Sequence, residues 1–212
     1  MAARHETQLV NPAVDFLARL AGRRRSDLSR RQSEIFDQIL DLYTSSGFST
    51  FTLEQVASRL KCSKSTIYSI APSREQLAVT ITVYFFQRAA RRIDEKVDRE
   101  LDPTVRLETY VRGVAEELHP ASAKFMDDIA AFEPTRRLYE LNTSIAASRI
   151  RELIAAGVEA DAFRSIQSAF VAEVVSAAMV SIQTRQMAAS TGLSDAAAYN
   201  ALADLIVHGI EV

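Results

Sequence analysis

Three features of the sequence predict an all-α fold. Gly and Pro are scarce, 6 and 5 among 212 residues, fewer than a turn-rich β fold needs. Apolar residues recur at spacings of three and four, the period of a helix face, with no convincing strand pattern. The apolar runs are bounded by Ser, Thr or Asp in front and by Gly or Pro behind, the residues that start and stop helices. About nine helices result: an N-terminal three-helix head containing a helix-turn-helix, on a helical-bundle body.

The length suffices for a sizeable core in one or two domains. A single cysteine rules out an intrachain disulfide framework and suits a reducing cytoplasm. No signal-peptide pattern opens the chain, and no uncharged apolar run approaches the ~20 residues that span a bilayer, so no membrane partner is expected. Net charge is -2, unlike a basic nucleic-acid coat, but it is unevenly spread. Residues 1–80 hold 11 Lys and Arg against 8 Asp and Glu, net +3; residues 81–212 hold 14 against 19, net -5. A basic head on an acidic body suits a protein that touches DNA at one end.

Residues 1–29 form an extension. Val14, Phe16, Leu17 and Leu20 can make a short amphipathic turn, and Gly22 precedes the run Arg23-Arg24-Arg25. Two readings stand: a solvated tail, or an arm reaching phosphate or the minor groove. The first helix, Arg30 to Ser46, turns Ile35, Ile39, Leu40 and Tyr43 inward and stops at Gly47. Phe48 and Phe51 then plug a small core.

From Thr52 the chain reads as two short helices and the start of a third. Thr52 and Gln55 are placed as a capping box, and Leu53, Val56, Ala57 and Leu60 make one apolar stripe. Ser63 caps the second helix, whose apolar positions are Ile67 and Ile70; Pro72 closes it by biasing Ala71 away from helical dihedrals. Ser73 caps the next helix, with Gln76 at the capping-box position. Two short helices joined by a tight turn are a helix-turn-helix, whose second helix can enter the major groove. Its outward residues, Lys64, Ser65, Thr66, Tyr68 and Ser69, are all hydrogen-bonding and none is acidic, as a DNA reader requires.

Ala57, Ser63, Lys64, Thr66, Tyr68, Pro72, Ser73, Arg74, Glu75 and Leu77 stand at the spacings of a known signature. Over roughly Arg30 to Phe86 the sequence resembles TetR-type transcriptional regulators. It departs from their pattern at Lys61, where the turn Gly is usual, at Ser65, another usual Gly, and at Ser69-Ile70-Ala71, where aromatic residues are usual. The resemblance implies a DNA surface drawn from Arg30, Arg31, Thr52, Lys64, Ser65, Thr66, Tyr68, Ser69 and Arg74. It divides the chain into a basic extension (1–29), a DNA-binding domain (30–76) and an effector-binding and dimerisation domain (77–212).

The fourth helix, Arg74 to about Val97, carries Leu77, Ile81, Tyr84, Phe85 and Arg88 along one side and joins head to body. Asp102-Pro103 opens a helix to Leu118, and His119-Pro120 ends it. A short helix follows from Ser122 to Ala131. Glu133-Pro134 opens another that runs to Ala156 and stops at Gly157. A long helix is expected from Ala162 to about Ala189, with Phe163, Ile166, Phe170, Val174 and Met179 among its apolar residues. Gly192 breaks it, Ser194 caps the last helix, and Gly209 ends that. The segment around Glu152 to Phe170 also resembles the family's junction between the body's seventh and eighth helices.

No catalytic or metal signature stands out. Glu116 and His119 have the i, i+3 spacing of carboxylate-bridged metal sites, but two of the chain's three His lie near its ends, so no second copy of the motif exists. Cys62 reads as a small buried residue between the reader helices, or as a thiol sensor activated by Lys61 and Lys64. Tyr84, Arg88, Asn142 and Glu173 are polar groups on faces that otherwise read as core, either satisfied structural polars or, by resemblance, effector-orienting groups alongside Phe85 and Phe170. By resemblance, too, the last two helices pair the chains through small and apolar residues such as Ala177, Leu202, Leu205 and Ile206.

The resemblance thus implies a non-enzymatic, cytoplasmic homodimer without cofactor, whose partners are double-stranded operator DNA and a small-molecule effector. Effector binding would shift the fourth helix and release a repressor from a palindromic operator. The alternative is a helical small-molecule-binding protein or enzyme with a vestigial helix-turn-helix. Effector, operator and regulated genes are not legible in the sequence.

Overall fold

The computed structural model describes residues 29–163 and 167–210; the arginine run Arg23–Arg25, the apolar turn of residues 14–20 and Ile166 lie outside them. The described residues form ten helices and no strand. The head consists of α1 (Arg30–Ser46), α2 (Leu53–Arg59) and α3 (Lys64–Ile70). The body follows as α4 (Arg74–Val97), α5 (Pro103–Leu118), α6 (Ala123–Ala131), α7 (Glu133–Glu159), α8 (Ser168–Gln183), α9 (Gln186–Thr191) and α10 (Asp195–Ile210).

Local sequence accounts for the head. Capping boxes at Ser29/Gln32 and Thr52/Gln55 start α1 and α2, each satisfying donors that a helix start leaves unpaired. Ser63 Oγ accepts from the Thr66 N–H at 3.1 Å and starts α3. Between α2 and α3 the chain turns on Lys61, at φ 50°. The Lys61 N–H meets Ser58 O and the Cys62 N–H meets Ala57 O, so a Schellman turn forms with Lys where Gly is usual. Ser73 caps α4, but the Gln76 side chain reaches forward to Thr80 Oγ1 instead of closing the expected box.

Ile35, Ile39, Leu40 and Tyr43 of α1 pack with Phe48, Phe51, Val56, Ile67 and Ile70, and with Leu77 and Ile81 of α4. This core continues without a break into the body, where α5 packs against α4, α7 and α10, and α8 packs against α7 and α10. The bundle therefore shares α4 with the head, as expected.

Three expected boundaries move, each for a tertiary reason. Gly157 lies inside α7, where a Cβ would overlap the Phe163 ring, so this Gly opens a seat for an aromatic side chain rather than a stop. The stop is Asp161 at φ 55°, again a Schellman turn. The expected long helix over 162–189 is divided in two, because Arg185 turns left-handed at φ 65°. Its guanidinium joins Asp127 on α6 (Nε to Oδ1, 3.0 Å) and Asp195 at the start of α10, contacts that offset the dihedral cost of ~1–2 kcal/mol. Finally, α10 continues past Gly209 to Ile210.

Candidate nucleic-acid interface and body cavity

In α3, Ile67 and Ile70 are buried in the head, which leaves Lys64, Ser65 and Tyr68 exposed, Tyr68 to 48%. Thr66 and Ser69 are half-buried with their hydroxyls engaged. Thr66 Oγ1 lies 2.8 Å from Ser63 Oγ; Ser69 Oγ donates to Thr66 O (2.7 Å) and accepts from Gln32 Nε2 (2.8 Å). Ser69 thus fastens α3 to the start of α1, where Arg30 and Arg31 stand. Sequence pattern alone placed Ser69 among the outward residues and could not show that Gln32 would claim it.

The basic residues here pair only loosely. Arg30 and Arg31 each stand 3.4 Å from Glu34, and Lys64 Nζ stands 3.4 Å from Glu54 Oε1, with all partners largely exposed. The Glu54 carboxyl is held below its ordinary range by its own N–H in the first turn of α2 and then by Lys64. Such solvated pairs contribute little stability and exchange readily for a phosphate. Thr52 is exposed at the N-cap of α2. Arg74 is exposed too, but its Nη1 donates to Ser49 O at 3.1 Å, holding the loop after α1. Burial pushes the Cys62 thiol up, with Arg31 opposing, so Cys62 is a neutral, partly buried group packed against the head core.

That loop is where head meets body. Asp128 on α6 is buried, and its Oδ2 accepts from the N–H groups of Phe48 (2.7 Å) and Ser49 (2.8 Å). Its Oδ1 accepts from Lys124, which also reaches Ser49 Oγ. Burial would raise the Asp128 carboxyl, but Lys124 and the Ser49 and Phe48 donors outweigh it and hold the group below its ordinary value. Gly47 takes φ 75° directly against this carboxylate, where a Cβ would strike Asp128 Oδ2.

The body encloses a cavity of about 60 Å³ between α4, α5, α7, α8 and α10. Phe85, Phe86, Ile93 and Asp94 line it from α4, Tyr110, Val114 and Glu117 from α5, Tyr139, Asn142, Thr143 and Arg149 from α7, Met179 from α8 and Tyr199 from α10. Of the expected effector residues, Phe85 and Asn142 are there. Tyr84 instead packs edge-on against Phe36 of α1, with ring centroids 5.0 Å apart. Arg88 is half-buried outside the lining.

Phe170 and Glu173 require correction: both are exposed, Phe170 to 67%, on the outward side of α8. The inward stripe is Ala172, Val175, Met179 and Ile182, because α8 starts afresh at Ser168 and its phase is set by packing on α7 and α10. Lining residues that pattern reading missed include Tyr139, Thr143 and Arg149. With Asn142 and Ala146 they fall at i, i+3, i+4, i+7 and i+10, a stripe legible in the sequence but not recognisable as a site.

The expected pairing residues also divide. Ala177 on α8 and Leu205 on α10 are exposed, Leu205 to 70%, as are Phe170, Val174 and Val180 of α8. Leu202 and Ile206 are instead buried within the protomer, in the core of the body.

The fold is that of TetR-family transcriptional regulators, seen in solved structures of low sequence identity. A transcriptional regulator from Saccharomonospora viridis in complex with choline superposes with a TM-score of 0.69 at 19% identity, covering 87% of this chain and 100% of that one. The TetR-family regulator PfmR from Thermus thermophilus gives 0.59 at 20%, covering 84% and 99%. AibR, in complex with isovaleryl coenzyme A and operator DNA, gives 0.56 at 14%, covering 83% and 97%. The sequence matches no family model and no curated protein.

Proposed function

We propose that the protein is a homodimeric, effector-responsive transcriptional regulator that acts in the cytoplasm as a repressor on a palindromic operator. The observation that carries this is the exposed face of α3: Lys64, Ser65 and Tyr68, with no carboxylate of its own, flanked by Arg30 and Arg31. A seven-residue helix presenting that face fits a major groove, where Lys meets phosphate or a guanine edge and the hydroxyls supply further hydrogen bonds. Residues 30–76 serve as the DNA-binding part and 77–212 as the effector and pairing part. AibR, among proteins of this fold, is bound to operator DNA.

Pairing is supported by apolar residues that no packing within the protomer explains. Phe170, Val174, Val180 and Leu205 are all about half exposed or more, on two helices that pack against each other. Large apolar side chains left exposed on packed helices suit an interaction surface. Response to an effector is supported by α4, which carries Leu77 and Ile81 in the head core and Phe85, Phe86 and Ile93 at the cavity. A molecule that favours one position of α4 would shift the heads by its difference in affinity for the two states.

A gel-shift with duplex DNA flanking the protein's own gene tests the reading. Binding that survives excess random duplex supports it. Equal loss to random and flanking DNA would favour the alternative, a helical binding protein with a vestigial helix-turn-helix.

A further inference from the structure

Every charged side chain that lines the body cavity already has a partner within the protein. Glu117 pairs with Arg92 at 3.5 Å, and Arg149 donates from Nη1 to Glu152 Oε2 at 3.0 Å. Asp94 is engaged as well. A charged occupant would lose its hydration on entry and find no free counter-charge. Taking one from an existing pair would strand the group left behind. An uncharged occupant leaves all of these contacts in place. Much of the remaining lining is apolar, with Phe85, Ile93, Val114, Ala146 and Met179 drawn from four helices.

One buried group adds a polar requirement. Thr143 is 3% exposed, lines the cavity, and its hydroxyl has no hydrogen-bond partner among the described residues. A helical Thr can return its hydroxyl to the preceding turn, as Thr44 does to Leu40 O at 2.8 Å and Thr184 to Val180 O at 2.9 Å. Thr143 does not, and a buried polar group left without a partner is costly unless something completes it. Asn142, its neighbour in the chain, lines the cavity half-buried, and a carboxamide offers both donor and acceptor. The cavity of about 60 Å³ holds roughly four to six water-sized groups.

We infer that the cavity binds a compact uncharged organic molecule, a short apolar body bearing one hydroxyl or carboxamide group, with that polar group at the Thr143 hydroxyl. This deepens the regulator reading and rests on it for the consequence that such a molecule releases DNA.

The test uses the full chain with isotope-labelled methionine methyl groups. The Met179 methyl resonance, identified by its loss in Met179→Leu, reports from inside the cavity. The probes form two isosteric pairs: isobutanol with isobutylammonium, and isobutyramide with isobutyrate. The uncharged member of each pair is expected to shift the Met179 signal saturably, with a dissociation constant on the order of millimolar for so small a molecule. The charged member should bind at least about tenfold more weakly, since it meets the cost of unpaired buried charge. Thr143→Val should weaken the uncharged probes about threefold to tenfold, the order of one neutral hydrogen bond, while Thr143→Ser binds them as the wild type does. Without probe, Thr143→Val should melt no lower than the wild type, because the hydroxyl it removes bonds to nothing in the fold. A lower midpoint would show that this hydroxyl is already engaged and overturn its role. No saturable shift with either uncharged probe, or a charged probe bound as tightly as its isostere, overturns the inference. A parallel gel-shift keeps the two proposals apart: operator binding without probe binding removes only this one, and probe binding without operator binding removes only the regulator.

Discussion

Three single residues carry distinct physical loads, and each gives a prediction at its own scale. Lys61 holds φ 50°, which costs a side-chain-bearing residue about 1–2 kcal/mol relative to right-handed backbone. Lys61→Gly should therefore stabilise the protein by roughly 0.5–1 kcal/mol, after allowing for the greater freedom of Gly in the unfolded chain. Thermal unfolding measures it, and an unchanged or lower midpoint would show that the turn is not strained. Lys64 has a different task. It is exposed and loosely paired to Glu54, so Lys64→Ala should leave the melting midpoint nearly unchanged. It should weaken DNA binding across sequences and flatten the dependence of log K on log salt by about one unit, because one phosphate contact is lost. An unaltered salt slope would remove Lys64 from the interface.

Asp128 is the third. Burial raises its carboxyl, but Lys124, Ser49 and Phe48 lower it by more, so folding favours the ionised form. The stability it confers is complete above the unfolded value of 3.8 and is lost as pH falls through the lower folded value. Asp128→Ala leaves the buried Phe48 N–H unpaired and should cost about 2–3 kcal/mol at neutral pH. The same variant should show a smaller loss of stability on acidification than the wild type. Parallel acid-limb melts of the two proteins would refute this assignment if they were displaced by the same amount at every pH.

At the scale of elements, the helices whose ends carry local signals were legible and those with tertiary ends were not. The spans Arg30–Ser46, Arg74–Val97 and Pro103–Leu118 follow directly from Gly47, Ser73 and Asp102-Pro103. The turns at Asp161 and Arg185 lack the Gly that signals a helix stop, and Arg185 holds its left-handed dihedral with its guanidinium paired to Asp127 and Asp195. Gly157 misled for the opposite reason: it is a seat for Phe163 inside a helix. The expected long helix also starts later than Ala162, at Ser168, and this later start explains why Phe170 and Glu173 sit outward. Phase is lost across an unrecognised boundary, and every later inference about which side faces the cavity goes with it. The same boundary sharpens the pairing prediction. Leu205→Glu places a charge on an exposed apolar position and should separate dimers while leaving the chain helical. Ile206→Glu, one residue on, buries that charge in the protomer and should unfold it. Sedimentation with far-ultraviolet circular dichroism distinguishes the two, and a Leu205→Glu protein that stays dimeric would place the interface elsewhere.

For the whole molecule, α4 and the Asp128 contact link a head with a polar outward face on α3 to a body that holds the cavity and the exposed apolar residues of α8 and α10. The outward face of α3 was legible because caps and an apolar pair fix which side of a short helix points outward; the half-buried place of Ser69 was not, because its partner Gln32 lies 37 residues away. The cavity was hardly legible, since Asp94, Tyr110, Thr143 and Tyr199 come from four helices that no local pattern relates. The central claim is that two such heads, held at a fixed distance by the bodies, read one symmetric DNA site. Hydroxyl-radical footprinting of the full chain on its bound duplex tests it most directly. The expected result is two protected segments related by a two-fold axis, centred about 34–36 Å or a multiple of it apart, and lost together in Leu205→Glu. A single asymmetric footprint that persists in that variant, or no protection beyond that on random duplex, would contradict it.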